Sequence, residues 1–267
     1  MSEPKVMGIL NATPDSFFEG SRRQTEAEIA DRANEIVEQG GEIIDVGAFS
    51  TRSGAAEVSC REETGRLRRA LAIVRREQPD AVLSVDTYRP SVARMCVEEF
   101  GADIINDVSE GGITGIVNTP IHEEESMFET VARLGVAYIL MSVKPDLYSM
   151  MKAFAEEVQQ LRDLGVKDVI LDPGFGFGKT LEQNYSIMDS LECLHELELP
   201  LLVGISRKSM ISRLLHTDAS GALNGTTALN TIALLKGASI LRVHDVRECV
   251  EAVRIVGAMR ADGSSDL

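Results

Sequence analysis

No apolar stretch in the chain approaches the roughly 20 residues of a helical membrane span, which excludes a protein threaded through a bilayer by such helices. A basic run is also missing. Lys and Arg number 27 against 42 Asp and Glu, a formal charge of −15. A surface that acidic repels nucleic acid and anionic membranes unless its cations are segregated, and here they are scattered. The expected partners are therefore small molecules, with no nucleic acid and no membrane. The four cysteines, Cys60, Cys96, Cys193 and Cys249, fall outside CxxC spacing, and the four histidines form no HxxxH or HExxH pattern. Free thiols are expected, and a structural zinc is not. Residues 1–5 lack the apolar region of a signal peptide, so the expected location is cytoplasmic. Repeats and low-complexity segments are absent.

What is present is a regular alternation. Short apolar, β-rich runs occur at 6–11, 42–46, 81–86, 103–107, 137–142, 168–172, 201–205 and 239–243. Each is nearly continuous, as expected of strands covered on both faces. Helical patterns lie between most of them. The segment 25–38 places Ile29, Ala33, Ile36 and Val37 on one face with charges opposite. The segments 181–196 and 220–237 behave similarly. Strands alternating with helices predict a parallel sheet, and eight of them predict a closed (β/α)₈ barrel, the TIM-barrel architecture. An open doubly wound sheet is the rival. At 267 residues the chain suits one such domain, since α/β barrels run to roughly 250 residues as a unit. We expect a single domain over 1–267, with 261–267 as a frayed tail. Residues 12–24 and 109–126 read as loops.

A barrel builds its site from the ends of its strands. Those ends are Asn11, Asp45 with Thr51-Arg52, Asp86, Asn106-Asp107, Met141-Ser142, Asp172, Ser206-Arg207-Lys208, and Arg242 with His244. One such polar residue is commonly a cap or a turn residue. A full ring of them at equivalent positions is hard to explain as caps alone.

Three segments invite other readings. DPGFGFGKT (172–180) resembles a phosphate loop, but the first glycine of G-x-x-x-x-G-K-[ST] would fall on Pro173. Its glycines still permit close backbone approach to a flat ligand. Asp172 can accept from the N–H edge of a heterocycle, or cap the next helix. In GISRKS (204–209), Ser206, Arg207 and Lys208 stand where a helix begins, which suits an anion or serves as a solvated turn. In LRVHDV (241–246), Arg242 and His244 alternate and so point to one side of strand eight. Strands seven and eight often supply a barrel's phosphate site, although a buried His satisfied by its neighbours is equally ordinary.

Taken together, MGILNATPDSF (7–17), IIDVGAFSTRSGAAEVS (43–59), SVDTYRP (84–90), DIINDV (103–108), ILDPGFGFGK (170–179), LLVGISRKSMI (201–211) and ILRVHDV (240–246) resemble the signatures of the dihydropteroate synthase family, in order and spacing. The resemblance implies a transferase joining a pterin diphosphate to p-aminobenzoate with release of pyrophosphate. It implies a pterin pocket of Asp86, Asn106, Met141, Asp172, Lys208 and Arg242. The diphosphate would meet Asn11, Arg52, Arg242 and His244, with Mg²⁺ near Asn11. The p-aminobenzoate would meet Thr51, Ser53, Phe177, Ser206, Arg207 and Lys208. Asp86, Arg52, Lys208, Arg242 and His244 would carry the chemistry, and the chain would form a homodimer through outer helices of its C-terminal half. Sulfonamides, which mimic p-aminobenzoate, would be inhibitors.

The chain departs from the family pattern in places. Phe49 stands where many members carry an acid, Ser53 replaces a proline, and Ser142 stands where a histidine is usual. The segment 143–150 is short and 109–126 is long. A pterin-dependent methyltransferase, or a pterin-binding homologue without activity, would share the carboxylates, but a methyltransferase has no need of Arg52, the SRK turn or the RVH set.

Overall fold

The computed structural model describes residues 3–12, 26–49, 58–110 and 125–261. Strands β1 (Lys5–Asn11), β2 (Ile43–Gly47), β3 (Val82–Asp86), β4 (Ile104–Asp107), β5 (Ala137–Met141), β6 (Val169–Asp172), β7 (Leu202–Val203) and β8 (Ile240–Val243) form one parallel sheet. The order is β6-β5-β4-β3-β2-β1-β8-β7. A single bridge, Leu171 to Leu201, joins the outermost strands and closes the ring. The eight-stranded barrel is as expected. Strand β7 is shorter than the predicted 201–205: the chain leaves the ladder at Gly204, so Ser206 is carried by a turn.

Helices α1 (Glu26–Glu38), α2 (Cys60–Glu77), α3 (Pro90–Phe100), α4 (Met127–Leu134), α5 (Leu147–Asp163), α6 (Leu181–Asp189), α7 (Ser209–Leu214), α8 (Leu223–Leu235) and α9 (Val246–Ala261) alternate with the strands. Local chemistry starts several of them. Ser126 and Thr180 form capping boxes with Glu129 and Gln183. Pro90 opens α3, where its missing N–H has no role. On α1, Ile29, Ala33 and Ile36 are buried as predicted, but Val37 is 37% exposed. The predicted helix 181–196 stops at Asp189 and continues as a 3₁₀ segment, Leu191–Leu197. The predicted 220–237 begins with a 3₁₀ turn before α8.

The core has two parts. The larger lies between strands and helices. The smaller fills the barrel with Met7, Ile43, Ile104, Ile139, Ile170, Leu202 and Ile240, one from each of seven strands. Side chains two residues further along face the same way, and that step carries the chain from core to site. No helix among the described residues is long and apolar enough to cross a membrane.

Candidate active site

Two residues beyond the inner isoleucines of β2, β4 and β8 lie Asp45, Asn106 and Arg242. Asp86 occupies the last inward position of β3. These side chains meet. Arg242 donates from Nε to Asp45 Oδ2 at 2.7 Å and from Nη2 to Asp86 Oδ2 at 2.7 Å. Asp45 also accepts from Ser84 Oγ at 2.6 Å and Asn106 Nδ2 at 3.3 Å. Asp45 is fully buried. Burial pulls the Arg242 pKa down, but the carboxylates of Asp45 and Asp86 outweigh it and raise it above the ordinary guanidinium value. The Asp86 carboxyl is pushed up to about 7: burial raises it most, Arg242 opposes, and Asp45 and other acids add. Its Oδ1 is buried without a hydrogen-bond partner. Asp107 faces the other way, where it accepts from Tyr138 OH at 2.7 Å.

Across the mouth, Met141 and Asp172 are register partners on β5 and β6. Asp172 Oδ1 accepts from Gly174 N–H at 2.8 Å, and Thr180 caps α6, so Asp172 is not that helix's cap. Burial raises its pKa, while Lys208 and the Gly174 amide oppose. Lys208 donates to Phe175 O at 2.5 Å and lies 4.6 Å from the Phe177 ring centroid. Its pKa is pulled down to about 8, chiefly by burial. The close approach provided by Gly174 is to the turn that follows β5: a Cβ there would lie 2.2 Å from Ser142 O. Lys179, at the position of a phosphate-loop lysine, donates instead to the carbonyls of Ser142, Gly174 and Phe177.

At the β7 and β8 exits, Ser206 Oγ accepts from His244 N–H at 3.1 Å and lies 3.1 Å from His244 Nδ1. Arg32 of α1, which the sequence did not single out, donates to Ile9 O and His244 O, tying this exit to β1. Asn11 is exposed at the end of β1. Arg207 adopts φ 54°. Its guanidinium donates to both Asp245 oxygens and to Ala219 O and Ser220 O. It braces the turn rather than presenting an uncommitted cation.

Thr51, Arg52 and Ser53 lie outside the described residues, as do most of 12–24 and 109–126 and positions 262–267 of the expected tail. Consecutive residues of the β3–α3 turn hold the segments flanking 50–57. Tyr88 packs edge-on against Phe49, with centroids 5.1 Å apart, and Arg89 Nη2 donates to Val58 O at 2.8 Å. Arg89 also forms a buried ion pair with Glu63.

This mouth has neighbours among known proteins. The sequence profile described as pterin binding enzyme matches residues 7–244. The dihydropteroate synthase of Escherichia coli strain K12 is 40% identical, over 97% of this chain and 92% of that protein. The chain belongs to the dihydropteroate synthase family of pterin-binding enzymes. The Yersinia pestis family member, solved in a sulfonamide drug complex, is 37% identical with a TM-score of 0.83, covering 97% of this chain and 95% of that one. The Xanthomonas albilineans member, solved with 4-aminobenzoic acid, is 33% identical with a TM-score of 0.84, covering 97% and 94%. Asp45, one of the polar strand ends but given no ligand role by the resemblance, lies at the centre of the site as partner of Arg242, Ser84 and Asn106. Its signal was available in the two-residue step from Ile43.

Proposed function

We propose that this chain condenses 6-hydroxymethyl-7,8-dihydropterin diphosphate with p-aminobenzoate to give 7,8-dihydropteroate and pyrophosphate, a step of folate biosynthesis. The observation that carries the reading is the buried, unpartnered oxygen of Asp86 beside Arg242. A buried acceptor left unmade is costly, so it calls for an N–H donor from a ligand. A pterin edge supplies one. In this reading Asp86, Asn106, Met141, Asp172, Lys208 and Arg242 hold the ring. Asn11, Arg52, Arg242 and His244 take the diphosphate. Thr51, Ser53, Phe177, Ser206, Arg207 and Lys208 serve the p-aminobenzoate, with Arg207 acting through the turn that it braces.

In the reaction, the bond between the ring-borne CH₂ and the diphosphate oxygen breaks, and its electron pair leaves with the diphosphate. The CH₂ cation is delocalised into the pterin, where Asp86 and Asp172 stabilise it. Arg52, Arg242 and His244 hold the departing negative charge. The aniline nitrogen then donates its lone pair to the CH₂, forming C–N, and its proton passes to water. No side-chain nucleophile is required.

Among the described residues no group of three or more His, Cys, Asp or Glu side chains could hold a metal ion. Asn11 fits a different kind of site. Mg²⁺ accepts one protein oxygen while keeping water and substrate phosphate oxygens, and the exposed Asn11 amide is such a donor. Bound there, Mg²⁺ would supply positive charge to the diphosphate. The reading includes a cytoplasmic location and a homodimer. Leu235 on α8 and Ile255 and Met259 on α9 are more than half exposed, an apolar face suited to a second copy. The test is pyrophosphate release from the pterin diphosphate. It should require p-aminobenzoate and increase with Mg²⁺. Methyl transfer from a methylated pterin, without pyrophosphate release, would overturn the proposal.

A further inference from the structure

The peptide joining Ser142 to Val143 is gripped from both sides. Glu110 Oε1 accepts its N–H at 2.7 Å, and Lys179 Nζ donates to its carbonyl at 2.9 Å. The peptide belongs to the turn after β5. Glu110 comes from the turn after β4, and Lys179 from the turn after β6. Three consecutive strand exits are thus joined through one peptide unit. Immediately before it stands Met141, whose register partner is Asp172. There is little slack in this arrangement, because Gly174 passes so close to Ser142 O and Met141 Cγ that a Cβ would meet them at 2.2 and 3.0 Å.

Glu110 is a costly choice for such a grip. It is fully buried and has φ 50°, the left-handed region that favours glycine. Its Oε2 is buried without a hydrogen bond, 3.9 Å from Lys144 Nζ. Nearby Glu157 of α5 also has a buried, unpartnered Oε2. Its carboxyl is pushed up to about 8, by burial first and then by Glu110, with Lys144 opposing and Glu156 adding. Lys179 is pulled down to about 8 by burial, against Asp172 and Glu110. Strained backbone and under-satisfied buried acids destabilise a fold, and where they persist they commonly fix a site's geometry.

We propose that Glu110 and Lys179 are positioning residues, which hold the Ser142–Val143 peptide so that Met141 presents a preset wall to the pterin ring beside Asp172. The inference rests on the synthase reading of the site. Neither residue needs to touch substrate.

The test uses three variants, each measured for kcat, both KM values, pterin affinity by calorimetry, and Tm. Glycine relieves the φ of 50° and removes the unpartnered buried Oε2, which offsets the lost Val143 hydrogen bond, so Glu110→Gly should change Tm little. It should raise KM for the pterin diphosphate roughly tenfold if releasing the peptide leaves about a tenth of the molecules with the Met141 wall in place. KM for p-aminobenzoate should hardly move. Lys179→Met should shift the same constant in the same direction. Glu110→Gln keeps an acceptor for the Val143 N–H and should restore the pterin KM. Unchanged pterin KM in Glu110→Gly and Lys179→Met would overturn the proposal. So would equal impairment of Glu110→Gly and Glu110→Gln, which would point to charge rather than the grip. A fall in Tm without a change in pterin affinity would make the role purely structural. Absence of turnover in the unaltered protein would instead defeat the synthase reading, and calorimetry would still decide whether the grip shapes a pterin wall.

Discussion

Two layers of side chains fill the barrel, one two-residue step apart along the strands, and they differ in polarity and charge. The lower layer is apolar on seven strands, through Met7, Ile43, Ile104, Ile139, Ile170, Leu202 and Ile240, while β3 brings the buried Ser84, which donates to Asp45. The upper layer begins two residues later, roughly 6.6 Å further along each strand. There Asp45 follows Ile43, Asn106 follows Ile104, Met141 follows Ile139, Asp172 follows Ile170, and Arg242 follows Ile240. The lower layer gains stability from apolar burial. The upper layer gives some up by burying carboxylates, and it recovers part through Arg242, which bonds both Asp45 and Asp86. One layer makes the barrel, and the other uses it.

The strongest test of the contrast is Arg242→Ala. It strands two carboxylates with no other cation bonded to them among the described residues. Removing one partner of a buried ion pair costs about 3–5 kcal/mol, so Tm should fall by on the order of 10 °C, and turnover should be lost. A stable, active variant would break the picture of an upper layer held by that pair. Next, Ile139→Ala should cost about 2–5 kcal/mol of stability through a core cavity. Both KM values of the folded protein should be retained. A smaller effect is expected of Asp172→Asn. Loss of a charged acceptor, worth about 1.5–3 kcal/mol, should weaken pterin binding about tenfold or more without lowering Tm.

The smallest effect is a pH dependence of stability. Glu157 has a folded pKa of about 8 against an ordinary 4.5, and Asp86 about 7 against 3.8. Between those values the folded chain binds protons that the unfolded chain does not, so stability falls as pH rises. Thermal scans from about pH 5 to about pH 8 should show a declining Tm, with a shallower slope in Glu157→Gln. A slope unchanged by the substitution would remove Glu157 as a contributor.

Much of this was legible in the sequence because a barrel repeats one signal. Continuous apolar runs ending in polar residues located β1, β5 and β6 to within a residue or so. Strand β7 was over-read, because Gly204 and Ile205 look strand-like but leave the ladder. The predicted helix 181–196 was overextended because its apolar pattern runs on through Leu191 and Leu194, whose backbone tightens to 3₁₀. Side-chain commitments were the least legible. Arg207 looks like a ligand cation until Asp245 is found beside it, and Lys179 like a phosphate lysine until three carbonyls are found around it. Glu63 and Arg89 pair across 26 positions, a distance no local pattern encodes. Asp45 stood among the strand ends, and carrying the inward step of β2 two residues past Ile43 turns it toward Arg242.

Scaffold and ligand grip separate into these two layers. The most direct test is to measure pterin affinity and Tm side by side in Asp172→Asn and Ile139→Ala. A crossed result is expected: Asp172→Asn binds pterin about tenfold more weakly at an undiminished Tm, while Ile139→Ala loses Tm and binds like the unaltered protein. If both variants lose affinity and Tm together, or if Asp172→Asn loses only Tm, the two layers are one, and the account is contradicted.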